Sequence, residues 1–563
     1  MARPSPSNSK FATLGHDLRE VPVRIRAAVK VGLRSGLARN LTAAGVRELV
    51  RIVASGSGTP DRIYRLHAAN SPNKTALVFR DRSWTYAELD GRIERIASGL
   101  AARGFARGRG VVLMTRNRPE FIEINAAASR VGVPAVSVSW RSTAKELAYL
   151  VEHCGAEGIV FEDTFAEVVA EARKDLPRVS DDRTFAIGDV PSWARPYESL
   201  VADRVDYTPP ANAAEDAAVV IYTSGTTGKP KGAVRKFPKQ AITGALQFIG
   251  ETPMRSDDVH LVACPLYHST AFGFMAFACL LGGTIVLMDD FKPEIFLAEL
   301  ARHRVTQTAV VPTMLHRTLA LGPEVLRKYD TRSLRAIFAC GAPLPGPLAI
   351  ETMDAFGDVL YNCYGATEIG LVTVATPEEL RAAPGTIGHP ITGNVIRLLD
   401  EKGDGVPDGE VGELFAKNRL LVAGYHQDEK ATNESMSEGF FSVGDLARRD
   451  SAGRYFIEGR KRDMIISGGV NVYPAEVEGV LEGHPDVSEV AVVGAPDADL
   501  GERVRAFVVK RPGSTLDDAV LKTWARERLS GAKVPRDYVF MDALPRNPTG
   551  KVLKKDLRLA GTN

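Results

Sequence analysis

Ala217-Ala-Val-Val-Ile-Tyr-Thr-Ser-Gly-Thr-Thr-Gly-Lys-Pro-Lys-Gly-Ala233 runs from an apolar stretch straight into a loop of glycines, hydroxyls and lysines. The run Ala217–Ile221 reads as a buried strand, so the loop leaves a strand end. Gly225, Gly228 and Gly232 let a ligand approach the backbone closely, and Thr223, Ser224, Thr226 and Thr227 supply hydroxyl donors. Lys229 and Lys231 add positive charge, and the whole suits a polyphosphate. It is not a Walker A loop. Thr223 stands where the first glycine is required, and Pro230 replaces the metal-binding Ser/Thr.

On either side of this loop, short β-branched runs alternate with helical patterns. Ala76–Phe79 is followed by the capping box Thr85-x-x-Glu88 and a helix toward Arg103. Then come Gly110–Met114, a helix from Glu120, and the apolar strand Val133–Val138. The alternation continues through Ile285–Met288, Gln307–Val311, Arg335–Ala339 and Asp358–Tyr361, which predicts an α/β architecture with largely parallel sheets. From about residue 385 the texture changes to glycine-punctuated strands at Gly393–Leu399, Glu410–Lys417 and Phe440–Leu446, a small antiparallel subdomain. A last unit of mixed β and α segments follows the charged string Gly459-Arg-Lys-Arg-Asp463.

The 563 residues are 44% hydrophobic and 25% charged, the balance of a soluble globular protein of several domains. A net charge of +2 excludes a global pull toward nucleic acid. The five cysteines lie far apart, so neither a zinc site nor a disulfide framework is expected, and a cytoplasmic location is. Ala271–Met288 carries no charge, yet Gly282-Gly283 divides it, predicting a buried helix and then a buried strand rather than a membrane span.

Residues 1–60 hold ten Lys/Arg against three Asp/Glu. Within them Val21, Ile25, Ala28, Val29 and Leu33 fall on one side of a helix, with Arg26, Lys30 and Arg34 opposite. A second pattern gathers Val46, Leu49, Val50 and Val53 away from Arg47 and Arg51. Two readings stay open: peripheral contact of residues 1–55 with an anionic membrane face, or a structural arm packed on the body.

Tyr361-Asn-Cys-Tyr-Gly-Ala-Thr-Glu368 lies downstream of the loop, followed in order by Gly444-Asp445, Ser467-Gly-Gly-Val-Asn471 and Pro545-Arg-Asn-Pro-Thr-Gly-Lys551. With this series, from about residue 60 onward, the chain resembles the adenylate-forming superfamily of acyl-CoA synthetases, luciferases and peptide-synthetase adenylation domains. The resemblance implies a large N-terminal domain of two doubly wound sheets plus a small β-barrel-like subdomain, and a small mobile α+β C-terminal domain. The expected divisions are a basic extension over 1–58, an adenylation domain over 59–460 and a C-terminal domain over 463–563, hinged at 460–463.

The same resemblance implies roles. Thr223, Ser224, Gly225, Thr226, Thr227, Gly228 and Lys231 would bind ATP phosphates; Gly341, Ala342 and Pro343 would line the adenine. Tyr364 would stack on adenine, Gly365 beside it would bind ATP, Thr367 would reach the α-phosphate, and Glu368 would hold Mg²⁺. Asp445 and Arg460 would hold the ribose, Arg462 would be the hinge, and Ser467, Gly468 and Gly469 would form the coenzyme A tunnel. Lys551 would be catalytic with Thr227 and Glu368, offsetting charge on the pentacoordinate phosphorus. Val443 departs from the usual Thr before Gly444-Asp445.

His268, in Pro265-Leu-Tyr-His-Ser269, aligns with the mouth of the acyl pocket, where amino-acid-activating relatives place Asp. Phe272 and Phe274 follow on an apolar segment that suits an alkyl chain or simple core packing. The expectation is ATP- and Mg²⁺-dependent joining of a medium- to long-chain fatty acid to coenzyme A. Carrier-protein loading, an aryl substrate, a catalytically silent binding homologue and a homodimer are left open.

Overall fold

The computed structural model describes residues 22–55, 61–106, 109–202, 205–207, 219–223, 231–235, 239–418, 435–546 and 551–560. They divide into two compact units. The first holds the described residues up to Asp290 with His303–Thr308 and Ile391–Gly393; the second holds Phe291–Arg302, Ala309–Pro390 and the rest from Asn394.

In the first unit, helices α1 (22–34) and α2 (Ala43–Ser55) precede the hairpin β1 (Thr75–Phe79) and β2 (Arg82–Thr85). Thr85 then caps α3 (Tyr86–Ala102) through the reciprocal Thr85–Glu88 box that the spacing predicts. A seven-stranded sheet is built from β3 (Gly110–Met114), β4 (Ala135–Ser137), β5 (Ala156–Glu162), β6 (Thr184–Ile187), β7 (Arg195–Pro196), β8 (Val219–Thr223) and β9 (Lys231–Arg235). Its order is β7-β6-β5-β3-β4-β8-β9, parallel but for the β8–β9 pair. Crossover helices such as α4 (Pro119–Arg130) bury its strands, and β3 has every residue buried.

Helix α5 (Lys239–Glu251) leads to β10 (Val259–Val262), α6 (Ser269–Leu281) and β11 (Thr284–Leu287), with β11 parallel to both β10 and β1. The uncharged segment is thus a helix closed by Gly282 at φ 77° and then a strand, as the paired glycines predict. Among the described residues no helix is long and apolar enough to cross a membrane.

The chain continues with the short buried β12 (Gln307–Val310), and the second unit holds α7 (Pro312–Leu319), β13 (Ala336–Cys340), β14 (Leu360–Ala366), β15 (Gly370–Ala375) and β16 (His389–Pro390). β13 and β14 are parallel, whereas β14–β15–β16 run antiparallel. The glycine-punctuated stretch forms a five-stranded sheet from β17 (Val395–Leu399), β18 (Val411–Lys417), β19 (Met436–Ser437), β20 (Phe440–Arg449) and β21 (Tyr455–Arg460), every pair antiparallel.

The final sheet comprises β22 (Ile465–Ser467), β23 (Val470–Val472), β24 (Val487–Asp497), β25 (Gly501–Lys510) and β26 (Asp537–Phe540). Helix α8 (Pro474–Glu482) covers it, and its core joins Val477 and Leu481 to Val492, Val504 and Val508. Helix α9 (Lys554–Ala560) closes the described chain and buries Leu557 beside Ala491, Val493 and Phe507.

Candidate active site

The second unit brings most of the sequence-predicted nucleotide residues together, and strand register is the reason. In the antiparallel β20–β21 pair, Asp445 lies directly opposite Arg460. Arg460 Nε is 3.2 Å from Asp445 Oδ1, while the Tyr364 hydroxyl donates to Asp445 Oδ2 at 2.8 Å. The buried carboxylate is therefore engaged on both oxygens and fixed in orientation. Burial first, then the Asp445 charge, pushes the Tyr364 phenol far above its ordinary value, so it stays a donor.

Gly444 reaches Asp445 through a φ of 77°, a backbone state that a side chain would strain. Val443, which departs from the expected Thr, packs with Tyr364 on a cluster of Ile369, Val372, Leu414 and Phe441. Its role here is apolar support for Tyr364 rather than a hydroxyl contact.

Gly341 follows β13 at φ 86° and turns the chain into Ala342-Pro343, beside the Cys340–Cys363 register pair that leads to Tyr364. β14 is longer than the sequence pattern suggests: it continues through Tyr364-Gly365-Ala366 and pairs with β15 across a bulge between Tyr364 and Gly365. A Cβ on Gly365 would sit 2.1 Å from the Gly370 carbonyl oxygen, so only glycine fits there. The hairpin tip carries Thr367 and Glu368 out of the sheet. Among the described residues no cluster of three or more His, Cys, Asp or Glu could hold a metal. A single carboxylate ligand such as Glu368 would suit Mg²⁺, which keeps its waters and binds chiefly to substrate phosphates.

Lys551 lies in the electrostatic field of Arg460, Asp445, Cys340 and Glu368. Burial of its ammonium, reinforced by the Arg460 charge, lowers its pKa from the ordinary lysine value, while Asp445, Cys340 and Glu368 oppose the shift. Its backbone is placed by the Arg546–Val552 bridge and by Leu553 N–H donating to the Pro545 carbonyl at 2.8 Å. Arg546 anchors that turn, 2.7 Å from Glu489 on β24 and donating to Thr313 Oγ1 on α7 at 3.2 Å. Sequence reading passed over Arg546, although it stands inside the quoted Pro545–Lys551 motif.

Around this anchor, Glu482 sits among Glu478 and Glu489, with Lys554 and Arg546 nearby. Burial and the two neighbouring carboxylates raise its pKa to about 8, only partly opposed by the two cations. A raised carboxyl pKa favours the folded state below the unfolded value and loses that contribution as pH climbs through the folded one. Stability around α8 and β24 should therefore fall between roughly pH 4.5 and 8, at no more than about 1.4 kcal/mol per pH unit. Glu482→Gln should flatten that slope in denaturant melts taken across the range; an unchanged slope would remove Glu482 as its source.

Arg462 lies in a 3₁₀ turn, Lys461–Asp463, whose outer members are tied down: Lys461 to Glu413 at 2.9 Å and Asp463 to Arg558 at 2.8 Å. Burial and the charges of Arg460 and Arg558 lower its pKa. Gly468 and Gly469, both at positive φ, form the two-residue turn of the β22–β23 hairpin. The turn alone accounts for both glycines, and Ser467 before them is buried.

In the first unit, Thr223 and Lys231 are register partners at the ends of the antiparallel pair β8 and β9. Ser224, Gly225, Thr226, Thr227 and Gly228 lie outside the described residues. His268 precedes α6, its ring 4.0 Å from that of Tyr267. Asn117, another residue missed in the sequence, ties down the Cys264–Leu266 segment before His268. It donates to the Cys264 and Met288 carbonyls at 3.0 Å each and accepts from Leu266 N–H at 2.8 Å. Phe272 is half-buried, edge-on to Phe121. Phe274 is 1% exposed and packed between Phe248 and Phe277, a core environment. Gly273 between them faces open space where a Cβ would stand.

In the second unit Tyr364, Asp445 and Arg460 are brought together, with Glu368 and Lys551 in the same electrostatic neighbourhood, an arrangement of donors, acceptors and charges able to hold a polar, phosphate-bearing ligand. Residues 64–426 match the family model for AMP-binding enzymes and residues 476–551 the model for the AMP-binding enzyme C-terminal domain. The chain belongs to the AMP-binding, adenylate-forming enzyme family. It is 36% identical to a feruloyl-CoA synthase from an Amycolatopsis species over 87% of this chain and 96% of that one. It is 32% identical to the fatty acid–[acyl-carrier-protein] ligase ScoC of Streptomyces coeruleorubidus, over 87% and 94%. Among solved structures, the anthranilate CoA ligase AuaEII in complex with anthranoyl-AMP superposes with a TM-score of 0.83 at 25% identity, covering 90% of this chain and 97% of that one.

Proposed function

We propose that this enzyme activates a hydrophobic carboxylic acid with ATP and transfers it to coenzyme A. The observation that carries the reading is the convergence of Asp445, Arg460, Tyr364, Glu368 and Lys551 in one cluster. Asp445 and Arg460 hold the ribose, Tyr364 stacks on adenine, and Thr367 meets the α-phosphate. Glu368 holds Mg²⁺, which supplies charge neutralisation on the phosphates. The loop through Thr227 cradles the phosphates while Lys551 guides the acid carboxylate. The carboxylate oxygen bonds to the α-phosphorus as the bond to pyrophosphate breaks. The chain then turns about Arg462, the Ser467–Gly469 loop admits coenzyme A, and its thiolate attacks the acyl-adenylate, releasing AMP.

For the acid, a medium- to long-chain fatty acid is the first reading. No acidic residue follows His268 until Asp289, which disfavours an ammonium-bearing substrate, and the helix behind His268 is apolar. One relative is a fatty acid–[acyl-carrier-protein] ligase, which supports a fatty acid. An aromatic acid is the second reading, favoured by the feruloyl-CoA and anthranilate-CoA ligases. Pyrophosphate exchange across alkyl and aryl acids, followed by thioester formation with coenzyme A or a carrier protein, decides both substrate and acceptor. Exchange with no acid in the panel would overturn the proposal.

Gly273 gives a sharper test of the channel. Glycine inside a helix costs about 1 kcal/mol relative to alanine, and here no packing contact requires it. Gly273→Leu should keep or raise the melting temperature, leave the ATP KM unchanged, and shorten the longest acid accepted. An unaltered chain-length profile would place Gly273 outside the acyl channel.

A further inference from the structure

Helices α1 and α2 are amphipathic in the reverse of the usual sense. α1 turns polar groups toward the body: Arg24 Nε donates to Thr243 Oγ1 at 3.3 Å, Arg34 donates to the Gly250 carbonyl at 2.6 Å, and beside them only Val31 is buried. Ile25, Val29 and Leu33, spaced four apart on the opposite side, are 58%, 55% and 66% exposed. α2 repeats the inversion. Its inward side carries Gly45, whose Cβ would meet Asn70 at 2.2 Å, and the buried Glu48, paired to Arg51 at 3.1 Å. Val46 and Val50 point out, 47% and 61% exposed, with Leu49 beside them. An ordinary surface helix buries its apolar stripe; here two successive helices display theirs.

The charges around the stripes name the occupant. Arg26, Lys30, Arg39 and Arg47 are exposed along this stretch, Lys30 with its stem against Gly250, and the sole acid in 22–55, Glu48, is buried and already paired. A second copy would bring like charge against like charge. An anionic lipid surface supplies both what the apolar side chains lack and what the cations attract. We propose that α1 and α2 dock this enzyme on an anionic membrane surface, with Ile25, Val29, Leu33, Val46 and Val50 entering the headgroup boundary and the flanking cations facing lipid phosphates. The docking stands whichever acid is activated.

The full-length protein should co-sediment with vesicles of phosphatidylcholine and phosphatidylserine and far less with phosphatidylcholine alone. Binding should weaken as salt approaches 1 M, where the Debye length is about 3 Å. Each basic residue near such a surface is worth about 1 kcal/mol, so Arg26→Glu with Lys30→Glu should lower partitioning by roughly tenfold or more. Ile25→Ser, Val29→Ser and Leu33→Ser together should do the same while the melting temperature and solution adenylation hold. Absence of vesicle binding by the wild type, or equal binding by both variants, would overturn the proposal. A concentration-dependent dimer abolished by the serine variant, without vesicle binding, would assign the surface to a second copy instead.

Discussion

Lys551→Ala is expected to slow acid-dependent pyrophosphate exchange by about 10²–10³, the range for losing one preorganised contact to developing charge. Thioester formation from a supplied acyl-adenylate should change only a few-fold, because attack by the thiolate needs no cation at the entering carboxylate. The surroundings sharpen the test. Crowding by the surrounding protein and then the Arg460 charge lower its pKa below the ordinary 10.5. Free enzyme should accordingly lose kcat/KM for ATP on an alkaline limb below that value, because the neutral amine no longer attracts phosphate. Bound nucleotide brings negative charge and raises the pKa again, so the limb in kcat should lie higher. Lys551→Arg, charged throughout, should remove the limb. Equal loss in both half-reactions, with a lowered melting temperature, would give Lys551 a folding role instead.

The strands and their order of appearance were legible because the parallel core is written in uninterrupted apolar runs such as Gly110–Met114, and the Thr85–Glu88 box announces its helix. Strand ends were less legible. β14 reads as stopping at Tyr361 because Tyr364-Gly365-Ala366 looks like a turn; it is held as a strand by pairing with β15, a contact no local pattern reveals. The candidate site residues were legible as motifs, but their support was not. Arg546 and Asn117 act through partners more than fifty residues away, Glu489 and Cys264 among them. The basic extension gave its helical period correctly. It could not tell which face the body takes, since that depends on Thr243, Gly250 and Asn70 presenting polar partners.

Asp445→Asn should lower kcat/KM for ATP by roughly ten- to a hundredfold, the equivalent of losing a charge-assisted hydrogen bond of about 1.5–3 kcal/mol. The carboxylate accepts from Tyr364 on one oxygen and faces Arg460 with the other. An amide keeps one acceptor and turns two N–H donors toward a guanidinium or a phenol that also donates. Part of the loss would therefore come from displaced neighbours rather than from the nucleotide. Comparing ATP with 2′-deoxy-ATP separates the two. If Asp445 accepts from the ribose hydroxyls, the wild type should prefer ATP clearly and the variant should lose most of that preference. If the variant keeps the wild-type ratio while both nucleotides weaken equally, Asp445 serves only to hold Arg460 and Tyr364 in place. A double variant with Arg460→Ala then tells how far the pair acts as one unit. Losses that fail to add would follow from the direct cross-strand register of the two residues, because removing either leaves the other unoriented.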